Sequence, residues 1–145
     1  MLSIIQRVIY ANVSINQTIV SSIQKGILAF IGIEKRDTEQ HADHLLKKIL
    51  NYRIFNDDAG KMNKSLKDIE GELLLVSQFT IVADTKSGTR PGFSIAMAPE
   101  QSKLLFNYMV QKAKNNYMKT ESGIFGADMQ INLCNDGPVT FLLKV

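Results

Sequence analysis

Three features of this chain predict an α+β domain with a mostly antiparallel, strongly curved sheet and two main helices. Apolar runs with strand character open and close the sequence and recur between, at Ser3 to Ser14, Gly26 to Ile33, Glu72 to Phe79 and Val139 to Val145. Two segments carry helix start signals followed by apolar residues at helical spacing. At 145 residues the chain can bury one core but not two comfortable ones, so a single domain over residues 1–145 is expected.

In chain order, Ser3 to Ser14 and Gln17 to Gln24 read as strands, with Asn16-Gln17 as the hairpin turn between them. Gly26 to Ile33 is a third strand, nearly all apolar. Asp37 offers an N-cap, and Gln40 three residues on completes a capping-box pattern. The helix that follows carries Ala42, Leu45, Leu46, Ile49 and Leu50 on one stripe, the spacing of a helix packed on a sheet. Arg53 to Phe55 is a short strand leading into the turn Asn56-Asp57-Asp58-Ala59-Gly60, and Lys61 to Gly71 is polar and irregular. Glu72 to Phe79 is a continuous apolar run that turns polar at Ser77-Gln78 and continues through Thr80-Ile81-Val82, as a buried strand does. Asp84 to Phe93, rich in Gly, Thr and Lys, is loop. Pro99 at a first helical position opens the second helix, with Leu104, Leu105, Tyr108, Met109 and Ala113 as its buried face. Strands from about Lys119 to Asn135 and from Val139 to Val145 close the chain. Between them, Asp136-Gly137 is a hairpin signal, because Gly accepts positive φ without steric cost. Pro138 removes a backbone donor and makes a cis peptide possible. A turn built this way can aim the carbonyls of Gly137 and Pro138 outward, paired acceptors with no side chain between them.

Composition narrows the class. The hydrophobic share of 45% and charged share of 21% are those of a soluble globular protein. A single cysteine, Cys134, excludes an intramolecular disulfide and fits a reducing compartment; in its apolar strand pattern it reads as a small buried hydrophobe. Met1 to Ile9 carries Gln6 and Arg7 amid strand-like alternation, so no leader is read there. No apolar run approaches the roughly 20 residues of a membrane span, so cytoplasmic residence without membrane contact is expected. The net charge of +3 suits an anionic partner without demanding one. Lysines concentrate at Lys47-Lys48, at Lys61, Lys64 and Lys67, and at Lys112, Lys114 and Lys119; each group reads as a solvated face or as phosphate contacts. The sequence shows no aromatic-basic stripe of the kind that stacks single-stranded RNA.

The usual catalytic inventories come up short. His41 and His44 lie on the polar side of the first helix at a spacing open to a metal, but no third ligand is evident, and a solvated face is the simpler reading. Neither is placed near a serine for a Ser-His-Asp triad. Lys86-Ser87-Gly88-Thr89 is not a phosphate-cradling loop, and Asp84 and Asp128 lack metal spacing. An enzyme here is expected to work without metal, cofactor or histidine base. Ser77, Gln78 and Thr80, with Phe79 among them, interrupt the end of a core strand with polar groups. The N–H groups of Gln78, Phe79 and Thr80 are candidate oxyanion donors, and Thr80 is the obvious hydroxyl.

Ser77-Gln78-Phe79-Thr80, the hexapeptide Asn135-Asp136-Gly137-Pro138-Val139-Thr140 and Gly88-Thr89-Arg90-Pro91-Gly92-Phe93 together resemble the D-aminoacyl-tRNA deacylase family. The resemblance covers nearly the whole chain, including Ile4-Ile5-Gln6-Arg7-Val8, Gly26 to Gly32, Phe55-Asn56-Asp57 and Gly123-Ile124-Phe125-Gly126-Ala127. It implies a cytoplasmic homodimer that hydrolyses the ester of D-aminoacyl-tRNA, and of glycyl-tRNA mischarged on tRNA-Ala, with no cofactor. It further implies a Gly-cisPro motif that reaches from one subunit into the pocket of the other. On this sequence the carbonyls of Gly137 and Pro138 would then hold the substrate α-amino group and fill the space an L side chain requires. Thr80 is either a nucleophile, which would need a base the sequence does not display, or a group that positions substrate or water while the terminal 2′-hydroxyl assists. The resemblance favours the second. By the same resemblance Phe125 and Met129 line an adenosine pocket, although both would serve as core residues. Arg90 steers the acceptor end of tRNA or bonds loop carbonyls. Asn135 and Thr140, with Val139 between the turn and the last strand, support the turn. A non-catalytic dimeric nucleic-acid-binding protein is the alternative.

Overall fold

The structure, a computed structural model, describes residues 1–145. Its elements are β1 (Leu2–Ile15), β2 (Thr18–Ile23), β3 (Gly26–Gly32), α1 (Glu39–Asn51), β4 (Phe55–Asn56), β5 (Met62–Lys64), β6 (Glu72–Ser77), a 3-10 helix (Phe79–Val82), α2 (Pro99–Asn116), β7 (Thr120–Ser122) and β8 (Gln130–Lys144). The first hairpin turns where expected, with Asn16 and Gln17 at φ of 48° and 65° between the paired Ile15 and Thr18.

The long strands β1 and β8 organise the sheet. They run antiparallel for almost their full length, from Leu2 opposite Lys144 to Ser14 opposite Gln130. The other edge of β1 is shared: residues 2–8 pair with β3, and residues 11–15 pair with β2. A strand that serves two partners in succession must bend, and the sheet curls towards a barrel. The neighbours beyond β3 are parallel, β3 with β6 and β6 with β7. The sheet is therefore mixed, antiparallel around β1 and parallel beyond β3, a division the sequence reading did not make. The reason is connectivity: α1 and α2 are crossover helices, and each returns the chain to the same end of the sheet before the next strand begins.

Curling gives the central strands two buried faces. Ile27, Ala29 and Ile31 of β3 and Leu73 and Leu75 of β6 pack under α1 and α2, with Leu45, Ile49, Phe106 and Met109. The alternate residues Leu28, Leu74 and Val76 meet Val8, Val13 and Ile23 on the concave side. Hence these strands read as unbroken apolar runs rather than alternating ones.

The helices show what spacing fixes and what it does not. On α1 the stripe Ala42, Leu45, Leu46, Ile49 and Leu50 is buried as expected. Its N-cap is Thr38 rather than Asp37, and the Thr38 N–H donates to Nδ1 of His41, 3.2 Å away. Asp37 is occupied elsewhere, accepting from the Met1 ammonium at 2.5 Å and the Glu34 N–H at 2.6 Å. Pro99 opens α2 as expected. Its buried face is Ser102, Leu105, Phe106, Met109, Val110 and Ala113, whereas Leu104 is 72% exposed, one position off the stripe. Asp43 of α1 ties the two helices by accepting from Tyr108 and Lys112, each at 3.1 Å. That ion pair holds the Lys112 ammonium above its usual pKa.

The 3-10 helix sits directly on the end of β3, and Gly32 makes the room. A Cβ at Gly32 would lie 2.6 Å from Cγ1 of Ile81 and 2.8 Å from Cγ1 of Val82. Gly32→Ala is expected to destabilise the protein by about 1–3 kcal/mol through overpacking. A urea unfolding midpoint unchanged from the parent would contradict that fit.

Candidate active site

At the end of β6 the chain leaves the sheet and tightens into the 3-10 helix, which sets the polarity of this corner. The Gln78 N–H is still in the sheet and donates to the Ile31 carbonyl at 2.8 Å. It is thus unavailable to a ligand, so one of the three candidate oxyanion donors drops out. The N–H groups of Phe79 and Thr80 are the first two of the short helix, positions at which an N–H has no acceptor within its own helix. Next to them the Gln78 side-chain amide donates to Oγ1 of Thr80 at 2.6 Å. No carboxylate or imidazole bonds the Thr80 hydroxyl, and the two histidines lie far along the sequence on α1. No group of three His, Cys, Asp or Glu side chains gathers anywhere in the fold.

Ser77, Gln78 and Phe79 form one wall of a cavity of about 480 Å³. Its floor is Ile31, Ile33 and Val76, from the ends of β3 and β6. Ala96, Met97, Pro99 and Ser102 close it from the start of α2, and Phe125 to Met129 with Ile131 close it from the segment that enters β8. Phe125 and Met129 therefore line the cavity; Phe125 is also anchored, its ring centroid 6.0 Å from that of Phe106. Most of the lining is apolar, with Ser77, Gln78, Ser102 and Asp128 as polar points. A cavity of this size and character suits a flat heterocycle with a few polar edges. Thr80 stands just past this wall and is exposed.

The hexapeptide at residues 135–140 has a different geometry from the one its sequence suggests. It is not a hairpin: β8 continues through it, antiparallel to β1 on both sides. Gln6 faces Thr140 and Val8 faces Asn135, so Asp136 to Val139 bulge outward opposite Arg7 alone. The Gly137-Pro138 peptide is cis, and both residues are exposed. Asn135 closes the base of the bulge: its Oδ1 accepts from the Val139 N–H at 2.7 Å, and its Nδ2 donates to Oγ1 of Thr140 at 3.0 Å. Gln6 donates to the same Thr140 oxygen at 3.2 Å. Cys134, just before the bulge, is half-buried rather than core.

Sequence reading missed Arg7, which holds the bulge from below. Its guanidinium is largely buried and donates to the carbonyls of Asp136 at 2.9 Å and Ile54 at 2.7 Å. It also pairs with the Asp136 carboxylate at 3.2 Å. The available signal was an arginine at an inward-alternating position of an apolar strand, since a buried guanidinium needs several acceptors. Arg90, by contrast, bonds no carbonyl of its own loop. Within one chain the candidate residues thus form two separate groups. Ser77 to Phe79, Phe125 and Met129 line the cavity, with Thr80 next to them; Asn135 to Thr140 form the bulge, and neither Gly137 nor Pro138 lines that cavity.

Curated relatives similar to this chain along its whole length are named D-aminoacyl-tRNA deacylase. The chain is 57% identical over 145 residues to the D-aminoacyl-tRNA deacylase of Pseudoalteromonas translucida (strain TAC 125), covering 100% of both chains. It is 54% identical to the D-aminoacyl-tRNA deacylase of Pseudomonas entomophila (strain L48), again over 100% of both. Among solved structures, the c-Myc DNA unwinding element binding protein superposes with a TM-score of 0.95 at 38% identity, covering 100% of this chain and 99% of that one. The family profile described as D-Tyr-tRNA(Tyr) deacylase matches residues 4–144, and the chain belongs to that family.

Proposed function

We propose that the protein hydrolyses the ester linking a D-amino acid to the 3′ end of tRNA, in the cytoplasm and without a cofactor, releasing free amino acid and tRNA. The observation that carries this reading is the pair of helix-leading N–H groups on Phe79 and Thr80, beside a largely apolar cavity of about 480 Å³. An aminoacyl ester is already activated, so orientation and oxyanion stabilisation contribute most of what the reaction needs. One well-placed donor is worth about 3–4 kcal/mol. Water adds to the carbonyl carbon, the developing oxyanion takes the two N–H groups, and collapse expels the ribose oxygen, which receives a proton. The terminal adenosine 2′-hydroxyl assists that transfer, since no base bonds Thr80 and its hydroxyl is held by Gln78.

Handedness is read by the bulge of a second protomer in a homodimer. Gly137 and Pro138 are exposed and present backbone oxygens with no intervening side chain. They take the α-amino group and occupy the volume an L side chain needs. The D side chain points to solvent, so many D-amino acids are accepted. Glycine, lacking a side chain, passes as well, including glycine mischarged on tRNA-Ala.

Incubating the protein with D-Tyr-tRNA and L-Tyr-tRNA tests the reading, with ester loss expected on the D substrate only. Equal rates on both, or none on either, would remove it. Thr80→Ala is expected to lower kcat/KM about tenfold, the loss of a positioning hydroxyl rather than of a nucleophile. Acid quenching that traps a protein-bound acyl ester in the parent would reverse that assignment. The name of the superposed DNA unwinding element binding protein favours a second reading, nucleic-acid binding without catalysis. The same assay separates the two.

A further inference from the structure

The loop between the 3-10 helix and α2 has a defined shape that the reaction itself does not use. Asp84 and Gly92 exchange backbone hydrogen bonds at 2.7 and 2.9 Å, which closes residues 85–91 into a projecting hairpin-like tip. Both stems end on the cavity. Phe79 lies on one side and Ala96-Met97 on the other, and the Ala96 N–H donates to the Phe93 carbonyl at 3.1 Å. Phe93 packs on Phe79 with ring centroids 5.1 Å apart, and both rings are exposed. The tip therefore springs from two segments that border the cavity.

Its charge is free. Lys64, Lys112, Lys119 and Lys144 are each paired with a carboxylate, Asp58, Asp43, Glu70 and Glu34 respectively. Lys86 and Arg90 are exposed and paired with none. The one acid in the loop, Asp84, stands exposed at its base and accepts the Lys86 backbone N–H at 3.0 Å, with neither loop cation paired to it. Two unpaired cations and two exposed rings beside a nucleobase-sized cavity match the chemistry of a single-stranded nucleic acid, with phosphates to the cations and bases to the ring faces. The linear sequence shows no such combination; folding Phe79 against Phe93 creates it.

We propose that this loop grips the single-stranded 3′ end of tRNA, with Lys86 and Arg90 on the phosphates that precede the terminal nucleoside. The proposal rests on the hydrolytic reading of the cavity and names how its macromolecular substrate is held. The test compares parent with the double variant Lys86→Gln/Arg90→Gln on D-Tyr-tRNA and on D-tyrosyl-adenosine, which carries no phosphate. The loss of kcat/KM on the tRNA substrate is expected to exceed that on the adenosine substrate by about tenfold. For uncharged tRNA, the slope of log Kd against log salt should fall by about 1.4, or about 0.7 for each single-strand phosphate released. A second double variant, Lys47→Gln/Lys114→Gln, removes the same charge from exposed sites on the helices and should change that slope less.

Equal losses on the two substrates, or equal slope changes in the two double variants, would overturn the proposal. The Kd arm does not depend on catalysis. A parent that hydrolyses neither D substrate, yet loses salt dependence only in the loop variant, would remove the hydrolytic reading and leave the grip standing.

Discussion

Gly137→Ala is expected to reduce hydrolysis of D-Tyr-tRNA by about 100-fold or more in a protein that still folds. A Cβ at this position would lie 2.6 Å from Cγ2 of Val139, 3.1 Å from the Val139 nitrogen and 3.2 Å from Nη2 of Arg7. The backbone there has φ of 140°, which side chains of L-residues rarely adopt. Two of the three neighbours cannot yield without cost. The Val139 nitrogen is bonded to Asn135, and the Arg7 guanidinium is committed to two carbonyls. The backbone of Gly137 must therefore move, and with it the carbonyls proposed to take the substrate amine. A displacement near 1 Å costs roughly 100-fold in a reaction that depends on orientation. The residue is exposed, so the stability penalty is confined to local strain of about 1–3 kcal/mol. Single-turnover ester loss at saturating enzyme, with thermal unfolding alongside, checks both parts. D-specific activity within threefold of the parent would detach the bulge from chirality.

What the sequence made legible was local, and what it hid was long-range. The apolar runs of β3 and β6 identified buried strands, because residues covered on both faces cannot alternate. Their direction was not legible: parallel pairing depends on where α1 and α2 return the chain, and no residue in either strand records that. The helix stripes were visible through spacing, but a stripe one residue wide at Leu104 could not be placed without the sheet beneath it. Asp37 and Thr38 are both capping residues; the choice between them fell to the Met1 ammonium, brought from the far end of β1. Asp136-Gly137-Pro138 carries every local mark of a chain reversal. It bulges instead because β1 offers a continuous edge on which β8 resumes pairing at Thr140. The site shows the same division. Ser77 to Thr80 was visible as polar residues ending a core strand, but Gln78's own N–H was lost to Ile31, a partner 47 positions away in a parallel neighbour.

Arg7→Met carries the second large effect, and on selectivity more than on rate. The arginine reaches from β1 to two separate segments, the bulge at Asp136 and the chain just before β4 at Ile54. Methionine keeps the apolar stem and removes every donor. The Ile54 carbonyl, on a fully buried residue, then loses its partner at about 1–3 kcal/mol. The ion pair with Asp136 adds little, since that carboxylate side chain is 39% exposed and screened. A total near 2–3 kcal/mol leaves the protein folded at 25 °C. The bulge, however, is then held only from its base, by Asn135 and Gln6 through Thr140. On the proposed mechanism, rejection of the L substrate needs the carbonyls fixed where the wrong side chain would go, whereas hydrolysis of the D substrate needs only that they reach the amine. D-Tyr-tRNA hydrolysis is therefore expected to fall about tenfold, while the ratio of D to L rates falls about 100-fold. Arg7→Lys should be intermediate, because one ammonium cannot span both carbonyls in the planar geometry of a guanidinium. A variant that merely loses stability would lower both rates together, so a preserved D-to-L ratio in Arg7→Met would show that the arginine supports the fold and takes no part in setting handedness.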